Sequence, residues 1–216
     1  VQELLVRARN AFRIQDYDTA RTLVQQMLDE YPDSVTGTIL MGIIAGRTGN
    51  PADAIRMFKR ALELDKRSAE AYNNLAVILR QQGRLKDALA AVRHAAKLDS
   101  NRPDIIYNKA NILKDRGKRN DAIKTYKKAI ETDGKFVLAY NNLGTLYQSS
   151  GDIPAAIEAF NRGLAVDPNH PTLRYNLGLA FEAQGELEEA ETSYQRSLKS
   201  RPGWGEALNN LGKVFS

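Results

Sequence analysis

Residues 137–170 read VLAYNNLGTLYQSSGDIPAAIEAFNRGLAVDPNH, and the pattern in this stretch decides the fold. Its apolar residues recur at the three- and four-residue spacing of a helix in two sets, Leu138, Tyr140, Leu143, Leu146 and Tyr147, then Ile153, Ala156, Ile157, Phe160, Leu164 and Val166. Between the two sets, Gly151 suits the left-handed conformation that ends a helix. Pro168 suits the end of the second helix, and Pro171 suits the start of the next one. The stretch therefore predicts two antiparallel helices joined by a tight turn.

The same pattern recurs along the 216-residue chain at a period of 34 residues. The period is easiest to follow on alanine, at Ala20, Ala54, Ala88, Ala122, Ala156 and Ala190. It divides the chain into six repeats and a partial seventh, 1–34, 35–68, 69–102, 103–136, 137–170, 171–204 and 205–216. Such a period is typical of repeat proteins, whose units bury their apolar faces only by stacking on one another. The sequence therefore predicts an all-α protein that forms a single array over residues 1–216.

Small residues are predicted to set the packing of the helices. The first helix of a repeat carries glycine at Gly144 and Gly178, and the second carries the recurring alanine, so the two backbones can approach closely. Larger residues share one position of the second helix and are predicted to fill the space between repeats: Phe58, Val92, Tyr126, Phe160 and Tyr194.

These residues resemble the signature of the tetratricopeptide repeat (TPR) family over the whole chain. In one repeat the resemblance rests on Tyr140, Leu143, Gly144, Tyr147, Ala156, Phe160, Gly163 and Pro168. It implies a right-handed superhelical solenoid of antiparallel helix pairs, with a concave groove lined by the first helix of each repeat. It also implies a protein–protein interaction scaffold that holds an extended or helical partner segment in that groove. The first repeat departs from the signature at Arg7, which is apolar in the family, and at Gln15, where the later repeats carry glycine.

The groove of this family is lined in part by the fifth and sixth positions of each repeat. In this chain the sixth position is asparagine in five repeats, at Asn74, Asn108, Asn142, Asn176 and Asn210, and Tyr107 and Tyr175 stand beside two of these residues. An amide has both a donor and an acceptor, so it can pair with the N–H and C=O of an extended peptide. The series is similar to the asparagine ladder in the repeat arm of O-linked N-acetylglucosamine transferases. The alternative is that these amides bond only to neighbouring helices.

The first two repeats carry apolar residues where the later ones carry amides. The residues expected to form this exposed apolar floor are Leu5, Val6, Ile39, Leu40, Ile43 and Val77. Basic residues are expected to flank it at Arg13, Arg47, Arg80 and Lys114, while Glu182 and Glu206 lie at the far end of the groove. An exposed apolar patch usually receives a partner. The predicted occupant is an apolar side chain of a protein or peptide partner, or an upstream segment of this protein.

No catalytic, cofactor or metal site is predicted. The chain has no cysteine, and its two histidines are His94 on a second helix and His170 in a turn, more than two repeats apart. No phosphate-binding loop, dinucleotide-binding motif or cluster of metal ligands occurs. The sequence therefore argues against an enzyme.

Several alternatives stay open at this stage. The net charge of +5 is concentrated in the central repeats and would allow polyanion binding, although the groove has few aromatic platforms for nucleic acid. The pattern looks cut at both ends, as expected of the substrate-recruiting arm of a larger enzyme such as a glycosyltransferase. Self-association through the last helix, around Leu211 and Phe215, is a third alternative. No apolar run is long enough for membrane insertion, and we favour the cytoplasm while leaving the periplasm open.

Overall fold

The computed structural model describes residues 2–214, and the regular elements of this part of the chain are thirteen α-helices. They are α1 Gln2–Arg13, α2 Tyr17–Glu30, α3 Val35–Arg47, α4 Pro51–Leu64, α5 Ala69–Gln81, α6 Leu85–Leu98, α7 Pro103–Asp115, α8 Arg119–Thr132, α9 Val137–Gln148, α10 Ile153–Val166, α11 Pro171–Gln184, α12 Leu187–Ser200 and α13 Gly205–Val214. Odd-numbered helices are the first helices of the predicted repeats, and even-numbered helices are the second. None of these helices has the length and hydropathy needed to cross a membrane. Phe215, which was assigned to the self-association surface, lies outside the described residues.

The helices fall into two compact units, with α1 to α7 in unit 1 and α8 to α13 in unit 2. Within each unit every helix packs on the next one along the chain, and contacts also join α3 to α5, α5 to α7 and α9 to α11. The all-α architecture of stacked antiparallel helix pairs is thus confirmed.

The turns between paired helices follow the prediction. Gly151 adopts a φ of +80° after α9, which is the left-handed conformation expected there. Some helix starts are capped by short polar side chains, since Ser34 Oγ accepts the Gly37 amide at 3.2 Å and Ser68 Oγ accepts the Ala71 amide at 3.2 Å. Because these turn and cap residues act on only a few neighbouring residues, the helix boundaries can be predicted from the sequence.

The large residues of the second helices pack inside their own helix pair and against the following repeat. Phe58 is 1% exposed and lies against Gly42 of its own repeat, where an added Cβ would come within 2.7 Å of the Phe58 ring. Tyr194 is fully buried against Gly178 of its own repeat in the same way, at 2.6 Å. Phe160 also shares a buried core cluster with Leu173 and Leu177 of the following repeat, so the expectation that it fills the space between repeats is confirmed.

Candidate functional site

The predicted groove residues lie on the odd-numbered helices, which adjoin one another within each unit. In unit 1, α3 contacts α5 and α5 contacts α7, and in unit 2, α9 contacts α11. The α5–α7 and α9–α11 contacts bring the sixth position of one repeat close to the fifth position of the repeat before it.

Most of the predicted ladder asparagines bond to a neighbouring helix. Asn108 Nδ2 donates to Asn73 Oδ1 at 3.0 Å, so α7 is tied to α5. In unit 2, the corresponding bond joins Asn176 Nδ2 to Asn141 Oδ1 at 2.8 Å. The next repeat repeats the arrangement with a tyrosine as acceptor, since Asn210 Nδ2 donates to the Tyr175 hydroxyl at 3.2 Å. Asn142 accepts a 3.3 Å bond from Asn141 Nδ2. For Asn108, Asn176 and Asn210 the geometry therefore shows the alternative in which the amide joins neighbouring helices.

Asn74 differs from the rest of the series. Its side chain makes no hydrogen bond within residues 2–214. The reason lies one repeat earlier, because the fifth position there is Ile39, which offers no polar atom to an amide. Asn74 is half-buried, and its amide faces a cleft.

This cleft, about 180 Å³ in volume, lies between α3 and α5 in unit 1. Its lining consists of Ile43, Gly46, Arg47, Phe58, Asn74, Val77, Ile78 and Gln81. Gly46 lets the Ile78 side chain approach the backbone of α3 closely, because a Cβ at this position would lie only 2.8 Å from Ile78 Cδ1. Three predicted site residues, Ile43, Arg47 and Asn74, are thus brought together on an apolar base. Gly46, Ile78 and Gln81 were not predicted, and no signal in the sequence distinguishes them.

Two residues of the predicted apolar floor are not exposed. Ile39 is 4% exposed and Leu40 is 7% exposed. Leu40 belongs to a core cluster that includes Ala8, Val24 and Ile44. The expectation of an exposed floor at Ile39 and Leu40 was therefore wrong, because α3 packs against both neighbouring helix pairs and covers these side chains. Of the other predicted floor residues, Val6 is 56% exposed, and Leu5, Ile43 and Val77 are half-buried.

The predicted basic flank divides into paired and unpaired cations. Arg80 Nε lies 2.6 Å from Asp115 Oδ2, and Lys114 Nζ lies 3.9 Å from Asp115 Oδ1. Arg47, in contrast, has no ion pair or side-chain hydrogen bond in the described part of the chain. Arg47 is therefore the flanking cation whose charge remains available at the cleft.

The predicted tyrosines are only partly accessible. Tyr107 is half-buried on α7. Tyr175 is also half-buried, and its ring centroid lies 4.6 Å from that of Trp204. Burial, and secondarily the charge of Glu206, raises the pKa of the Tyr175 hydroxyl above its ordinary value. Since this hydroxyl also accepts the amide of Asn210, Tyr175 acts as a link between repeats.

The two histidines have structural partners. His94 is stacked on Tyr72 with ring centroids 5.2 Å apart. His170 precedes α11, and its Nδ1 accepts the Leu173 amide at 3.3 Å, which caps that helix.

Comparison with protein families accounts for the repeat pattern. Profiles described as "Tetratricopeptide repeat" match residues 4–34, 39–103 and 141–206, and one described as "TPR repeat" matches residues 110–151. The chain belongs to the tetratricopeptide repeat family. This TPR chain is therefore a repeat scaffold of the kind that mediates protein–protein interactions. A comparison with curated proteins gave no significant match.

Solved structures share the fold of this TPR chain at low identity. The chain in "Crystal structure of APC/C hetero-tetramer Cut9-Hcn1" matches with a TM-score of 0.86 and 19% identity, over 99% of this chain and 42% of that one. The TPR chain thus spans less than half of that protein. PilW, described as a type IV pilus biogenesis factor, matches with a TM-score of 0.86 and 19% identity, over 100% of this chain and 98% of that one. YrrB, described as a TPR protein with an unusual peptide-binding site, matches with a TM-score of 0.63 and 19% identity, over 87% of this chain and 96% of that one.

Proposed function

We propose that this chain binds an extended segment of a partner protein at the cleft between α3 and α5. In this arrangement an apolar side chain of the partner enters the cleft and contacts Ile43 and Val77. The amide of Asn74 pairs with the backbone of the segment, and Arg47 pairs with an acidic side chain next to the apolar one. The observation that carries the proposal is that Asn74, unlike Asn108, Asn176 and Asn210, leaves its amide without a protein partner.

The energetic argument concerns polar groups that face a partly apolar cleft. A half-buried amide without a protein partner forms fewer hydrogen bonds to water than an exposed amide does. A peptide that supplies an N–H and a C=O therefore provides the hydrogen bonds that the amide lacks. The cleft is too small to receive a folded domain, but it has room for one branched or aromatic side chain. The cleft therefore suits a short linear segment with a single apolar anchor.

The test uses three series of synthetic nonapeptides with one central leucine, in which the flanking residues are glutamate, serine or lysine. We expect the glutamate series to bind best and the lysine series to bind worst, as measured by fluorescence polarisation. Asn74→Ala should weaken every series about fivefold, which corresponds to one hydrogen bond of about 1 kcal/mol. Arg47→Gln should remove the preference for glutamate and leave the serine series unchanged.

Asn176→Ala serves as the matched control, because that amide is bonded to Asn141. Peptide affinity should be unaffected by this substitution. The proposal is rejected when Asn74→Ala binds all three series as tightly as the original chain does.

A further inference from the structure

One position of the second helices carries a basic residue from the second to the sixth repeat, at Arg60, His94, Lys128, Arg162 and Arg196. In the second, third, fifth and sixth repeats both helices belong to the same unit, so the surroundings of Arg60, His94, Arg162 and Arg196 can be compared directly. Arg60 is matched by acidic residues, since its guanidinium lies 3.4 Å from Asp33 Oδ1 and 3.7 Å from Glu63 Oε2.

The next two members of this series lie against aromatic rings. His94 stacks on Tyr72, and the Arg162 guanidinium lies 5.4 Å from the ring centroid of Tyr140. Both tyrosines occupy the fourth position of their repeat. The guanidinium of Arg162 over the Tyr140 face is attracted by the electrons of the ring.

The sixth repeat differs from the third and fifth, because its fourth position is Arg174 instead of a tyrosine. Arg196 therefore faces a second guanidinium instead of a carboxylate or an aromatic ring. The pKa of Arg174 is lowered from its ordinary value by burial and, secondarily, by the charge of Arg196. Arg174 is also held in place, since its Nε and Nη2 donate to the Pro168 carbonyl oxygen at 3.1 and 2.8 Å.

The two guanidinium groups share an open cleft of about 620 Å³ at the end of the α11–α12 pair. Its lining consists of Asn169, Pro171, Arg174, Arg196, Lys199 and Ser200. No acidic residue is among these lining residues, and none of the three cations has an ion pair within residues 2–214. Three like charges around one cleft repel each other, and an anion in the cleft would offset that repulsion by its attraction to each of them.

We propose that this cleft is a binding site for a phosphate-type oxyanion. Guanidinium groups bind phosphate through paired, charge-assisted hydrogen bonds, and Arg174 is already oriented by Pro168. A phosphate monoester has three acceptor oxygens and close to two negative charges, which suits three cations better than a single carboxylate does. Lys199 supplies the third charge, and Ser200 supplies a hydroxyl donor. The site shares no residue with the peptide-binding cleft between α3 and α5.

The test compares inorganic phosphate, phosphoserine and glutamate as probes. Binding is measured by calorimetric titration at constant ionic strength, with sodium chloride as the balancing salt. We expect saturable binding of phosphate and phosphoserine, and about tenfold weaker binding of both to Arg196→Gln, because one charge-assisted pair is lost. Arg162→Gln is the matched control, since Arg162 occupies the same position of the preceding repeat and lies over Tyr140. Its phosphate affinity should equal that of the original chain.

The two phosphate probes distinguish the sources of the anion. Tighter binding of phosphoserine than of inorganic phosphate supports a phosphorylated side chain as the ligand, and equal binding supports free phosphate. Since Arg196 is exposed, Arg196→Gln should fold normally, as circular dichroism would verify. Equal weakening by Arg162→Gln, or binding of glutamate without binding of phosphate, would overturn the assignment.

Discussion

Gln15 has a strained backbone conformation. Its φ of 64° lies in the left-handed region, and it is the only non-glycine residue with a positive φ among residues 2–214. The corresponding turn position of the next five repeats is glycine. A side chain in this conformation costs about 1 kcal/mol, because its Cβ crowds the following carbonyl. The first repeat therefore tolerates a local strain that the later repeats avoid.

We predict that Gln15→Gly raises the free energy of unfolding by about 0.5–1 kcal/mol, as measured by urea denaturation. The gain is smaller than the full strain, because glycine also increases the freedom of the unfolded chain. The reverse substitution is the control. Gly83 has a φ of +71° with open space around it, so Gly83→Gln should lower stability by a similar amount. A lower free energy of unfolding for Gln15→Gly would contradict this prediction. It would show that the glutamine side chain stabilises the fold by more than its backbone strain destabilises it.

The contact between α5 and α7 depends on a short chain of polar side chains. Asn73 is 5% exposed, and its Nδ2 donates to Asp104 Oδ2 at 3.0 Å while its Oδ1 accepts from Asn108. We predict that Asn108→Ala lowers the free energy of unfolding by about 1–2 kcal/mol, because a buried carbonyl oxygen loses its donor. Asn74→Ala, which breaks no hydrogen bond, should change stability far less. Equal effects of the two substitutions on thermal unfolding would contradict this role of Asn108.

The helices could be predicted from the sequence far better than the site. Helices α9 and α10 lie within the stretch 137–170, because apolar spacing, glycine and proline act over only a few residues. Asn108 bonds to a residue 35 positions earlier in the chain, and an amide can bond equally well to a peptide or to a neighbouring helix, so its partner could not be predicted. The burial of Leu40 likewise depends on how α3 is covered by its neighbours, which the repeat period does not reveal. Arg174 and Arg196 belong to different helices, so their juxtaposition appears only once the helix pair is packed.

At the scale of the whole molecule, the two compact units raise the question of whether the chain unfolds in one step or in two. The free energy of unfolding of a repeat array is approximately the sum of the stability of each repeat and the interaction energy between neighbouring repeats. The cooperativity of unfolding therefore depends on the weakest interaction between neighbours. Trp204 is the single tryptophan and lies in unit 2, where its ring contacts that of Tyr175. Tryptophan fluorescence therefore reports on unit 2, whereas the helical circular dichroism signal reports on both units.

Phe58 in unit 1 and Phe160 in unit 2 occupy the same position of their repeats and are 1% and 0% exposed. Replacing either by alanine should lower the free energy of unfolding of its unit by about 3–5 kcal/mol, because a cavity remains where the ring was. We predict that Phe58→Ala shifts the circular dichroism transition in urea to lower concentration and moves the fluorescence midpoint much less. Phe160→Ala should move the fluorescence midpoint directly, because it destabilises the unit that contains Trp204. If Phe58→Ala shifts both signals equally, the two units unfold as a single cooperative array, since a cavity in one unit then destabilises the other by the same amount.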